Sequence, residues 1–374
     1  MLSQRKQPRQ KSRNRKTSGM IASIKRMLTK SNSLLGLDIG SSSIKVANLR
    51  QDKTGYVMSD FGMIETPADS ITGGEIVQPI AVSEAVKGLV ADCKIKMKSV
   101  ATNIWGSAVI VKKITMPRME VGLVAEQIKW EAEQYIPFDI NEICLEYHVL
   151  RGVTQSSETM DVLLVAAKRE FVLNYASAIK SSGLRCEVLD VSSFALANCF
   201  EYNYGRLTES VALLNFGARV TNFVMMEQGE VVFCRDIPVG GINYSNDIHK
   251  ELGVSVKEAE SLKMSAVMGQ AVPVEVSNVL KSTSDVIADE IQNSFDFYLA
   301  TADHSGISKI YVSGGSARVP GLVDHISNTT KVGHELLNPF QKVRYDQKKF
   351  SEDYIAQIQP YAALAVGLAL RSGG

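Results

Sequence analysis

One hairpin design occurs twice in this sequence, and nearly half the chain separates the copies. LLGLDIGSSSIKVANL begins at Leu34 and VALLNFGARVTNFVMM begins at Val211. Each reads as an apolar strand, a short polar residue, one apolar residue, a glycine, a polar turn and a second strand. Asp38 aligns with Asn215 and Gly40 with Gly217, 177 residues apart in a chain of 374. Small-repeat solenoids have periods of about 20–50 residues, so this spacing means a duplicated domain. Two domains of ordinary size suit the length, with the division expected between Asn203 and Thr208.

Each turn has a physical reason to bind phosphate. The glycine of D-x-G lets the backbone pass close to an anion, and successive N–H groups of a tight turn converge as a nest. Ser41, Ser42 and Ser43 add hydroxyl donors, and Lys45 adds a point charge. Asp38 is itself an anion, so it tolerates a phosphate only with a divalent cation between them, held through water as magnesium prefers. Asn215, Gly217 and Thr221 occupy the second copy. A plain hairpin explains either motif alone; recurrence at domain spacing favours a nucleotide.

A third element is SKIYVSGGSARVPGLVDHI, an apolar strand, the turn Gly314, Gly315 and Ser316, then a helix from about Pro320. A backbone without side chains can lie flat against a base and an α-phosphate. In GVSVKEAESLK, Glu260 and Lys263 stand three apart on one helix face. There a carboxylate can accept from ribose hydroxyls and an ammonium can reach the base; a surface salt bridge is the plainer alternative.

Composition excludes several classes. Apolar residues make up 45% and charged residues 22%, as in a soluble globular protein, and no window reaches the roughly 18 apolar residues of a membrane helix. Tyr361 to Leu370 reads as a buried helix. Cys93, Cys144, Cys186, Cys199 and Cys234 are scattered and form no C-x-x-C pair, which argues against a metal site and fits a reducing compartment. Residues 1–33 hold ten of the 41 Lys and Arg and no acid, leaving 31 basic against 40 acidic residues in the body. SQRKQPRQKSRNRKTS lacks the apolar region of a secretory signal and reads as a disordered tail. After it, Met20, Ile21, Ile24, Met27 and Leu28 recur at helical spacing around Lys25 and Arg26. That suits either a short helix on an anionic membrane surface or one packed on the body. No aromatic residues interleave with these charges, so no nucleic acid is expected.

In this order the pieces resemble the actin-like ATPase superfamily: phosphate motifs at Asp38–Lys45 and Asn215–Thr221, the Glu260/Lys263 helix, and an adenosine motif at Gly314–Gly321. Within it, MPRMEVGLVAEQIKWEAEQYIPFDINEICLEYHVL looks like the SHS2-type insertion of the PilM family of type IV pilus assembly. EAEQYIPFDINE is its most specific piece, and GLRCEVLDVSSFALAN and FCRDIPVGGINYSNDI are similar in style. The resemblance implies an α/β, actin-like (ribonuclease H-like) duplicated two-domain fold with an interdomain nucleotide cleft and a small α/β insertion. Domain 1 then spans 34–205 with the insertion at about 115–185, domain 2 spans 206–358, and a C-terminal helix in 359–374 packs back on domain 1.

Read from its residues, the insertion has a helix with Val121, Val124 and Ile128 as its stripe and Trp130 near the rim, then a strand alternating Ile143, Leu145, Tyr147 and Val149. DVLLVAA makes another strand and REFVLNYASAIKSSG a second helix. Nothing in it is catalytic, and with Trp130 and Tyr135 exposed it is either a packed appendage or a docking surface.

The resemblance further implies ATP and Mg2+ as ligands, with Asp38 supporting the metal through water. It implies a cytoplasmic scaffold recruited to the inner face of the membrane by the N-terminal cytoplasmic peptide of a PilN-like protein. Contacts with other pilus assembly proteins, self-association and peripheral membrane contact follow by the same analogy. Relatives carry Asp in the second phosphate motif, whereas Asn215 keeps an oxygen without the charge, which implies weak or absent hydrolysis. Asp190 and Ser193 sit where relatives position the attacking water. An FtsA-like filament-forming adaptor and a small-molecule kinase of this fold are the alternatives; the first usually ends in an amphipathic helix, where this sequence has LALRSGG, and the second needs an acidic base that no motif here supplies.

Overall fold

The computed structural model describes residues 33–150, 158–301 and 306–372. The basic tail before Ser33, with the apolar pattern from Met20 to Leu28, lies outside them. The first half opens with β1 (Leu35–Ile39), β2 (Ser43–Asp52) and β3 (Gly55–Glu65). The short pair β4 (Ile71–Thr72) and β5 (Glu75–Ile76), helix α1 (Pro79–Asp92) and β6 (Ser99–Ile104) follow. A small unit comes next, with β7 (Val109–Pro117), α2 (Val121–Tyr135), β8 (Ile143–Val149) and β9 (Thr159–Lys168). Helix α3 (Arg169–Ser181), β10 (Arg185–Val191) and α4 (Ser192–Tyr204) return to the first sheet. The second half contains β11 (Val211–Phe216), β12 (Thr221–Glu227), β13 (Glu230–Ile237), α5 (Gly241–Leu252), α6 (Val256–Val267) and α7 (Val274–Thr301). It continues with β14 (Lys309–Ser313), α8 (Leu322–Thr330), β15 (His334–Leu336), β16 (Arg344–Tyr345) and α9 (Glu352–Ala369).

The duplication is visible strand by strand. The first sheet contains the order β3-β2-β1-β6-β10, with β16 beyond β3, and the second is ordered β13-β12-β11-β14-β15. In both, three antiparallel strands are followed by two that run parallel to the first. This is a mixed α/β, actin-like fold. β1 and β11 lie mid-sheet and are buried at every position, which is why both read as apolar runs broken only by Asp38 and Asn215.

Helices α4 and α9 lie between the two sheets. One core joins Ala47 and Leu49 of β2, Leu213 of β11 and Val224 of β12 to Leu196 and Phe200 of α4 and Ala362 and Val366 of α9. Residues 362–369, AALAVGLA, are all buried, and small side chains let the backbones approach. A Cβ on Gly36 of β1 would fall onto the Ala365 carbonyl oxygen, and one on Gly367 onto that of Ala195. The buried helix read at Tyr361–Leu370 is therefore the inner half of α9, which starts earlier and carries Pro360 inside it.

The small sheet is ordered β7-β9-β8. Val124, Ile128 and Ala132 of α2 cover Ile114, Met116, Val162 and Leu164, while Trp130 is 69% exposed. Tyr135 is half-buried, with the Lys112 ammonium 4.8 Å from its ring centre. Helix α3, placed with the insertion on sequence, buries Phe171, Tyr175, Ala178 and Ile179 in the core of the first sheet beside Leu35 and Leu37. The small sheet begins with β7 at Val109 and is not confined to its own core: Leu150, Leu163 and Val111 pack on the core of the second sheet.

Adding one methyl at Gly367 is expected to cost about 1–3 kcal/mol, because both backbones must move apart. Gly88 inside α1 has open space over its α-carbon, so Gly88→Ala is expected to add about 0.5–1 kcal/mol by helix propensity. Urea unfolding of the two variants tests the packing; Gly367→Ala as stable as the parent would contradict it.

Candidate functional site

The two hairpin turns have one backbone form and different side-chain chemistry. Gly40 N–H donates to the Ser43 carbonyl at 3.2 Å, and Gly217 N–H to that of Val220 at 3.0 Å. Ser41 and Ser43 are half-exposed and Ser42 is exposed. Thr66 fastens the first turn from outside, donating its hydroxyl to the Gly40 carbonyl at 2.7 Å and its N–H to that of Ser42 at 2.9 Å.

Strand register puts Asp38 directly opposite Lys45. The Lys45 ammonium donates to Asp38 Oδ2 at 3.1 Å and to the Ser43 carbonyl at 3.2 Å. Asn103 on β6 donates to Asp38 Oδ1 at 3.1 Å and to the Ser192 hydroxyl at 2.7 Å. Lys45 thus neutralises Asp38 here and does not stand free. The carboxylate is 3% exposed and has both oxygens engaged, which offsets the cost of burying its charge. Asn103 Oδ1 is buried with no hydrogen-bond partner, leaving an acceptor beside Asp38.

In the second copy the equivalent pair is neutral. Register puts Asn215 opposite Asn222 and Asn222 opposite Asp236. Asn215 Nδ2 donates to Asn222 Oδ1 at 3.0 Å, and Asn222 Nδ2 donates to Asp236 Oδ1 at 2.8 Å. Asp236 Oδ2 accepts from Gly106 N–H at 2.8 Å, across from the link between β6 and β7. Next to it, Trp105 Nε1 donates to the Ile39 carbonyl at the end of β1, at 3.3 Å. Hydrogen bonds through residues 105 and 106 therefore connect the end of β1 to β13 of the second sheet. Lost hydration pushes the Asp236 carboxyl above its ordinary range, opposed by its bonds from Gly106 and Asn222.

The remaining expected residues gather on the second turn. The Gly217 carbonyl accepts from Gly241 N–H at 3.0 Å and from the Ser316 hydroxyl at 2.9 Å. Lys263 is 6% exposed; its ammonium donates to the Gly241 carbonyl at 3.0 Å and to Glu260 at 2.7 Å. Glu260 also accepts from the Ser245 hydroxyl. Gly314 sits at φ +94° with its N–H on the Pro360 carbonyl at 2.8 Å, and a Cβ there would meet the backbone of Phe216. A Cβ on Gly315 would strike the Tyr361 ring, so both glycines are required by close approach. Asn215, Gly217, Glu260, Lys263, Gly314, Gly315 and Ser316 thus gather as one group around the second turn.

Three expected residues have other partners. Thr221 is fully buried, with its hydroxyl on the Val239 carbonyl at 2.8 Å. Asp190 is ion-paired with Arg371 at 2.6 Å and caps its own strand end through Val191 N–H. Ser193 is buried at the start of α4, beside Cys234. Asn103, Asp236 and Gly106 were missed on sequence. The signal for Asp236 was a lone acid in the strand run VVFCRDI, which gains meaning only when register places it beside Asn222. A cavity of about 290 Å³ opens nearby between Ala266, Leu280, Lys281, Asp285 and His325; of the expected motifs only the end of the adenosine stretch, Pro320 and Gly321, lines it. Among the described residues no cluster of three or more His, Cys, Asp or Glu forms a metal cage. A divalent cation here would rest on Asp38, water and a ligand's own phosphates, for which a single carboxylate suffices.

Lys263→Met removes the ammonium that satisfies the Gly241 carbonyl and Glu260. The expected loss is about 1–3 kcal/mol, read by denaturant unfolding; unchanged stability would show that these bonds do not hold α6 to the turn.

Comparison with known proteins agrees with this architecture. The family description "Type IV pilus assembly protein PilM" matches residues 36–373. Cell division protein FtsA of Streptococcus pneumoniae is 23% identical over 349 residues, covering 82% of this chain and 75% of that protein. A solved PilM-PilN type IV pilus biogenesis complex superposes with a TM-score of 0.82 at 26% identity, covering 91% of this chain and 99% of that one. MreB 5 of Spiroplasma citri bound to AMPPNP shares the fold, with a TM-score of 0.50 at 12% identity and coverage of 91% and 95%. No helix among the described residues is long and apolar enough to cross a membrane. With the family pattern running over nearly the whole chain, this protein belongs to the PilM family of type IV pilus assembly proteins.

Proposed function

We propose that this protein is an ATP-binding scaffold of type IV pilus assembly that grips the short cytoplasmic tail of a PilN-like membrane protein. The observation that carries the partner is the superposition on a PilM-PilN complex over 99% of that chain. The chain acts at the inner face of the cytoplasmic membrane, where such a tail is presented. ATP lies between the turns, its phosphates on Gly40, the three serines and Gly217, with Mg2+ supported through water by Asp38. Glu260, Lys263 and the Gly314–Ser316 turn take the adenosine. Support comes from the hydrogen-bonded group these residues form around the second turn and from the fold shared with a protein that holds AMPPNP. For Lys45 to reach a phosphate it must exchange its bond to Asp38, so phosphate and carboxylate compete for one ammonium.

Hydrolysis is slow in this account. Asn215 would bring no charge to a bound metal ion, and Asp190, held by Arg371, is not poised to orient water. The domains are assigned as 34–205 and 206–358, with β16 crossing back to pair with β3 of the first sheet and the helix in 359–374, the inner end of α9, packing back on domain 1. Nucleotide occupancy sets how far the two sheets close on α4 and α9, and closure sets the grip on the tail.

The test is capture of solubilised inner-membrane proteins on the purified full chain, with and without Mg·ATP. Recovery of a single-span protein, abolished when its N-terminal cytoplasmic tail is deleted, is expected. Equal recovery without the tail would refute the docking mode.

A further inference from the structure

The geometry points to Asp236 as the positioning residue of the second turn: its charge decides which atom of Asn215 faces the ligand. Side-chain amides are ambiguous by themselves, because oxygen and nitrogen can exchange places. A carboxylate is not, since it only accepts. Asp236 stands between two donors, Gly106 N–H and Asn222 Nδ2, each at 2.8 Å. The first is backbone and cannot turn: Gly106 sits at φ +96° and packs so closely on Gly73 that a Cβ would strike its carbonyl. With Nδ2 of Asn222 committed to Asp236, its Oδ1 must accept, and Asn215 supplies Nδ2 at 3.0 Å. Asn215 Oδ1 is then the atom left over, two residues before Gly217. An oxygen there can receive a hydrated magnesium ion, whereas an NH2 group would oppose it.

The first copy has no such relay. The residue opposite Lys45 on β3 is Met63, and Asp38 carries its own charge. In the second copy the charge has moved outward by two strands and acts through two amides. This assignment rests on the placement of a magnesium nucleotide in the cleft.

Reversing the relay provides the test. In Asp236→Asn the new amide oxygen accepts from Gly106 and its NH2 donates to Asn222. Asn222 then donates to Asn215 Oδ1, and Asn215 presents NH2. Every group stays partnered, so the variant is expected to fold. In the double variant Asn215→Asp with Asp236→Asn, the reversed chain ends on a carboxylate that again presents oxygen. Calorimetric titration of the full chain with ATP, in magnesium and in EDTA, compares the three proteins, with thermal melting as the check on folding.

The parent is expected to bind more tightly in magnesium. Asp236→Asn is expected to lose about ten-fold in that condition only, and the double variant to recover it. A single variant with the parent's magnesium dependence, or a double variant that fails to recover, overturns the proposal. So does failure of both variants to fold. Parent affinity indifferent to magnesium overturns it while leaving the nucleotide assignment standing; a parent that binds no ATP removes both.

Discussion

The close seating of two helices between two sheets is the constraint on which the rest of this molecule depends. Gly36 and Gly367 let α9 touch β1 and α4 without an intervening methyl group. The same helix carries Pro360 and Tyr361, which hold the Gly314–Gly315 turn in place. One element therefore fixes the strand that bears Asp38 and the turn assigned to adenosine. Because packed interiors resist gradual deformation, any change in the angle between the sheets must be absorbed at α4 and α9.

The copies share a fold and differ in where they keep charge. In the first, an acid and a base face each other across one strand pair, and their mutual neutralisation makes a buried carboxylate affordable. In the second, two asparagines take those positions and the acid lies on the outer strand, against the root of the small sheet. The first turn therefore carries a charged pair and the second a neutral one. The small sheet, anchored at Gly106 and packed through Leu150 and Leu163 on the second core, touches both halves.

Much of this was legible in the sequence, for identifiable reasons. The hairpins could be read because glycine after a buried polar residue is a local signal, and their separation gave the duplication. The Gly314–Gly315 turn and the Glu260/Lys263 spacing were also local. What could not be read depended on register between strands far apart in sequence. Lys45 looked free because nothing local says that it stands opposite Asp38. Asp236 and Asn103 looked like stray polar residues in apolar strands, and α3 looked like part of the insertion because it follows β9 directly. Its stripe of Phe171, Tyr175 and Ile179 fits any apolar surface; only the three-dimensional arrangement shows that the first sheet supplies it.

The proposed function requires the chain to hold Mg·ATP and scarcely split it. A single sample settles this when ATP binding by calorimetry is followed by phosphate release over the same hours. The account predicts saturable one-to-one binding with ATP recovered intact. No binding heat, or phosphate released at many turnovers per hour, would contradict it.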